Sequence, residues 1–243
     1  MPFFAADDSP LTSIELGQAP PDGYRFQLRA AIGYREPGTD ATIWAPPHVP
    51  SDAPADGNRT DLASVPQFLW SFIASYGRQS APAVIHDHRA VVALQLGDDD
   101  AALAQRKEDD RVFHVGLREQ RVPRVRSRLM WAWVSVERHL RHAPGLAALM
   151  LVQVALSVAV ICVAIVLALS NPLWLLLALV PLLASALWGQ QWFLMAVLSY
   201  GSAFLLPLLL LHFAAVLPFR LLEFVVELVS GGRPTEVFRP TLR

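Results

Sequence analysis

Apolar positions dominate the last hundred residues and alternate with polar ones before that. From Gly145 to Phe219, 75 residues pass without an Asp, Glu, Lys or Arg. A bilayer-crossing helix needs about 20 mainly apolar residues, and "GLAALMLVQVALSVAVICVAIVLALS" supplies 26 before Asn171-Pro172. A second run, "LWLLLALVPLLASALW", ends at Gly189, and a third extends from Trp192 to about Leu217. The pattern predicts a transmembrane bundle of about three antiparallel spans, with Pro181 and Pro207 marking kinks or a re-entrant segment.

Ahead of the bundle, "RVPRVRSRLMWAWVSVERHL" sets Val125, Leu129, Trp133, Val136 and Leu140 at helical spacing, with arginines largely around the other side. This is an amphipathic helix, either lying in the headgroup layer or closing the soluble domain. Further upstream, "YRFQLRAAIGY" and "ATIW" flank the Pro-Gly of "REPGTD", predicting a β-hairpin or small sheet. "APAVIHDHRAVVALQL" then ends at Gly97, and Asp99 or Asp100 can cap "AALAQRKEDDRVFHVGL", so two helices form an antiparallel hairpin. The fold class is α+β: an amino-terminal segment (1–23), a soluble domain (24–143), transmembrane helices (145–219) and a tail (220–243).

Charge changes this picture by adding an orientation. Residues 1–144 hold 16 of the 20 basic and 18 of the 21 acidic side chains. Seven arginines against two glutamates in residues 118–141 place the soluble domain in the cytoplasm, on an integral membrane protein with lipids as its first partners. No long basic run supports nucleic-acid binding. The single cysteine, Cys162, excludes a disulfide framework or a Cys-based zinc site, and "MPFFAADDSP" lacks the form of a secretory signal.

Candidate chemistry gathers in the soluble half. Residues equidistant from the hairpin turn face one another, so Asp87 meets Asp110, His86 lies in the same layer, and His114 falls one turn further on. Thr60 and Asp61 precede Ser64, whose spacing to Gln67 is that of a helix capping box; Ser64 reads as that cap or as a nucleophile. A histidine with converging carboxylates suits general-base catalysis or a divalent ion such as Ca, Mg, Mn or Zn. In this reading His86 and Asp110 are catalytic, Asp61 and Asp87 hold the metal, and Thr60, Ser64 and His114 support them. The plainer alternative is a set of surface ion pairs, with Asp98, His88 and Asp109 solvated.

"TDLASVPQFLW", "APAVIHD", "RKEDDRVFHVGL" and "RSRLMWAWV" together resemble the ordered signatures of the phage and bacterial family numbered 1353 among domains of unknown function, over residues 24–137. The matching positions are Thr60, Asp61, Ala63, Ser64, Pro66, Trp70, His86, Asp87, Arg106, Asp110 and Phe113. The chain departs from the pattern at His88-Arg89-Ala90, where the family has aromatic and Leu-Tyr residues, and at Asp109, where it has Ala. More distantly, His86-Asp87 with Asp110 is similar to the short motif of secreted calcium-dependent phospholipases; that similarity implies a water-activating His86, a calcium-binding Asp87 and an orienting Asp110. The glycine-rich calcium loop and the disulfides of those enzymes are absent. Two functions stay open at this point. One is a membrane-anchored, metal-dependent hydrolase of lipids or phosphoesters; the other is a noncatalytic module that partners phage or envelope proteins.

Overall fold

A computed structural model describes residues 2–18, 26–39, 41–49, 59–62, 73–74 and 76–237. Strands β1 (Phe3–Phe4), β4 (Ile32–Arg35) and β5 (Thr42–Ala45) form one antiparallel sheet in the order β1-β4-β5. The expected hairpin is its larger part, with Ile32 opposite Ala45 and Arg35 opposite Thr42. Gly33 is required where it stands: Phe4 is its partner across the ladder, and the Phe4 ring occupies the space of a Cβ. Strands β2 (Leu16–Gln18), β3 (Phe26–Leu28) and β6 (Arg59–Thr60) form a second antiparallel sheet, in which Phe26 opposes Thr60.

Helices α1 (Ser80–Leu94) and α2 (Asp99–Glu119) make the predicted hairpin. The turn passes through Gly97 at φ +68°, a left-handed conformation that glycine adopts without strain. The cap is Asp98, not Asp99 or Asp100: its carboxylate accepts from the Asp100 and Ala101 amides, leaving the next two aspartates to face the helix amino terminus. Leu28, Ile32 and Tyr34 pack against Ala81, Val84, Ile85 and Val112, joining sheet to hairpin.

Helix α3 (Arg124–His142) lies against α2 on one side and the apolar helices on the other. Its buried face takes in only part of the apolar stripe and much of the polar side. Val125, Trp133 and Leu140 are exposed, whereas Ser127, Met130, Ala132, Ser135, Arg138 and His139 are buried with Leu129 and Val136. The helix is sandwiched between two packing partners, and hydrogen bonds inside the sandwich make burial of its polar residues tolerable.

Among the described residues two helices are long and apolar enough to cross a membrane, α4 (Pro144–Ala168) and the stretch Gly189–Ser230, with mean hydropathy 2.8 and 2.1. The expected second span is instead a 3-10 segment, Pro172–Leu179, followed by the short α5 (Val180–Ala186). The Asn171 side chain accepts from the Leu173 amide and turns the chain back. The returning segment is then tied down: Trp188 Nε1 donates to Gln153 Oε1 at 2.6 Å, and Tyr200 Oη to the Ala178 carbonyl at 2.6 Å. Helix α6 (Trp192–Ser230) is longer than the expected third span and continues through Pro207 and Pro218. Met150, Leu194, Met195 and Leu198 pack against Ala132 and Val136 of α3, while Leu205 reaches Phe113, Leu117 and Leu129. The apolar helices therefore complete the core of the soluble half.

Candidate active site

Helix α1 offers His86 from its buried face and Asp87 from its half-buried side. Adjacent residues on a helix point about 100° apart, so the two cannot serve the same partner. His86 Nε2–H donates to Asp110 Oδ1 at 2.9 Å, across the hairpin and in the layer expected. Asp87 turns toward the second sheet, where Thr60 Oγ1 donates to its Oδ2 at 2.5 Å. The expected Asp87–Asp110 pair is thus replaced by two separate pairs. Thr60 is set by its place opposite Phe26, and its hydroxyl also accepts from the Leu62 amide at 2.8 Å.

Asp110 is almost wholly buried and carries three partners. Besides His86, its Oδ2 accepts from Arg138 Nη1 at 2.5 Å and Ser135 Oγ at 3.3 Å, both on α3. Burial pushes Arg138 below the ordinary guanidinium range, Asp110 pulls it back up and nearby Arg106 adds to the downward push. Arg106 itself is buried and bonds Glu137 Oε2 at 2.5 Å, a second tie between α2 and α3. With the Nε2 proton committed to Asp110, Nδ1 is the lone-pair nitrogen of His86, and no described residue donates to it. Phe113 packs on the ring at 4.9 Å between centroids and fixes its plane. An imidazole oriented by a buried carboxylate, with the other nitrogen unspent, is the arrangement a general base requires.

The other expected residues divide. Asp61 follows Thr60 and is half-buried. Ser64, with the cap proposed for it, lies outside the described residues. His114 does not join His86: it lies on the side of α2 that faces α3, its ring 6.2 Å from that of Trp131. Burial, with Arg128 and Arg118 nearby, holds it down at about 4. Among the described residues no group of three or more His, Cys, Asp or Glu is arranged to hold a metal ion.

Three site residues escaped the sequence reading. Ser135 and Arg138 belong to the face of α3 that the apolar spacing had assigned to solvent or headgroups. Asp109, expected to be solvated, is 2% exposed and accepts at Oδ1 from Arg89 Nε at 2.8 Å and Gln105 Nε2 at 2.9 Å.

The site is that of a small α+β domain whose helix hairpin and third helix enclose a His–Asp–Arg network. Residues 50–134 match the family described as "Protein of unknown function (DUF1353)", the family whose signatures the chain carries. No curated protein and no solved structure matches the chain.

Proposed function

We propose that this is a membrane-anchored hydrolase in which His86 is the general base and Asp110 its orienting partner, acting on carboxylic or phosphate esters of lipids. The observation that supports this best is the 2.9 Å His86–Asp110 pair, held in turn by Arg138 and Ser135 while Nδ1 stays unspent. In the reaction a water O–H bond breaks and its proton passes to Nδ1. The oxygen bonds to the carbonyl carbon or phosphorus, and the leaving alkoxide takes the proton back from His86. Positioned acid–base catalysis of this kind contributes about 10²–10⁴-fold. A divalent ion belongs to this reading at Asp87 and Asp61, where it would compete with the Thr60 hydroxyl for Asp87.

The anchor supports a lipid substrate. Helices α4 and α6 pass the length and composition required of spans, and the exposed Val125, Trp133 and Leu140 of α3 place an apolar stripe beside arginines, as at a headgroup layer. The arginines of residues 118–141 favour the cytoplasmic side for the domain, and on this reading protease added to intact cells should leave it uncut. The decisive assay uses the full-length protein in detergent micelles against phospholipid vesicles and soluble carboxylic and phosphate esters. His86→Ala should lower turnover at least 100-fold. A well-folded wild type with no turnover on any of them would instead leave the noncatalytic phage or envelope module, in which the network serves only to fix the fold.

A further inference from the structure

Facing residues of α1 and α2 leave between them a cavity of about 10 Å³, lined also by Phe3 and by Tyr34, whose buried hydroxyl has no hydrogen-bond partner among the described residues. That is room for one water molecule. Its lining includes His86, Arg89 and Asp109. Arg89 and Gln105 both engage Asp109 Oδ1, whereas Oδ2 is sealed from bulk solvent and has no hydrogen-bond partner among the described residues. A buried carboxylate oxygen without a donor costs several kilocalories per mole in principle, and such atoms are normally satisfied by protein or ordered water. Water is the donor small enough for this space.

We infer that Asp109 holds a single water molecule in this cavity and that this is the water His86 activates, which makes Asp109 a further residue of the active site. The second half of the inference rests on the hydrolytic reading above. Asp109 Oδ2 accepts one hydrogen of the water and His86 Nδ1 the other, so an oxygen lone pair is left directed at the electrophile. When the proton moves to Nδ1, the resulting hydroxide keeps its hydrogen bond to Asp109. Arg89 anchors Oδ1 and thereby fixes where Oδ2 points.

The test combines high-resolution structures and steady-state kinetics of the full-length protein in detergent, for wild type, Asp109→Leu and Asp109→Asn. The wild type should show an ordered water within hydrogen-bond distance of Asp109 Oδ2 and His86. Asp109→Leu, apolar and of similar size, should lack the water and lose about 100-fold in kcat with KM little changed. Asp109→Asn keeps an acceptor oxygen and should retain both the water and most of the kcat. A dry cavity in the wild type overturns the inference, as does Asp109→Leu turning over as fast as wild type, or equal losses in the two variants. If the wild type hydrolyses nothing, the proposed function fails by itself, while the water in wild type and its loss in Asp109→Leu still decide whether Asp109 binds it.

Discussion

Arg89 Nε donates to Asp109 Oδ1 at 2.8 Å, which couples the two positions where this chain departs from the DUF1353 pattern. Where the resemblance implies aromatic residues and an alanine, this chain has an ion pair across the hairpin. The Asp109 side chain is 1% exposed and that of Arg89 26%, so removing the cation strands a buried anion. Arg89→Ala should cost about 3 kcal/mol in chemical denaturation, whereas Arg89→Phe with Asp109→Ala should fall within about 1 kcal/mol of wild type. Equal losses in the single and double variants would show that the pair is not coupled.

Asp110 joins three helices, and its substitutions separate stability from chemistry. Asp110→Asn leaves Arg138 buried without a counter-charge and should destabilise by about 3–5 kcal/mol, with Arg138→Met restoring much of the loss in the double variant. Hydrolysis should not return, because His86 has lost its charged partner. Recovery of both together in thermal melts and turnover assays would make Asp110 purely structural.

Acid should weaken the fold below neutrality. The His114 imidazole sits near 4 when folded against an ordinary 6.5, mainly through burial, and burial lowers His139 and His88 as well. Between those values the unfolded chain binds more protons than the folded one, so stability is complete above about 6.5 and is lost as pH falls toward 4. Melting temperatures recorded from pH 7.5 to 4.5 should drop in this window, and His114→Gln should flatten the curve. An unchanged slope in that variant would assign the loss to other groups.

A divalent ion at Asp87 and Asp61 should stabilise the folded chain by about 2.7 kcal/mol at a hundredfold excess over its dissociation constant. Melts with calcium, magnesium, manganese, zinc or chelator measure this directly. Asp87→Asn should remove the gain and leave the His86–Asp110 pair in place. Identical wild-type melts under all five conditions would take the ion out of the site.

The helix hairpin and the His86–Asp110 layer were legible because Gly97 and the aspartates after it mark the turn, and equidistance from a turn is a geometric rule. The same rule pairs Arg89 with Asp109. Asp109 nonetheless counts as solvated in the sequence, because nothing in Lys107-Glu108-Asp109-Asp110 tells which of the neighbouring charges face inward. Arg138 and Ser135 were hidden for another reason. The apolar spacing of Val125, Trp133 and Leu140 is real, but that face of α3 is exposed, while the polar face lies between α2 and the apolar helices. Hydropathy alone also read 173–188 as a span, since a tight 3-10 turn-back and a crossing helix are equally apolar. The third apolar run stops near Leu217 because charges resume at Arg220, whereas α6 continues through Pro207 and Pro218 to Ser230.

Leu205 lies in one hydrophobic cluster with Phe113, Leu117, Leu129 and Met130, so the packing layer beside the His–Asp hairpin is completed from far along the chain. At roughly 5–20 residues per second of synthesis, the ribosome finishes α1, α2 and α3 seconds before that leucine emerges. The nascent domain spends this interval with Ala132 and Val136 lacking their partners Met150, Leu194, Met195 and Leu198, and with the cluster of Leu129 and Met130 lacking Leu205. Maturation of the site is therefore vectorial: it waits on translation and placement of α4 and α6, and a chain arrested at residue 143 carries every member of the His–Asp–Arg network yet lacks the layer that closes over it.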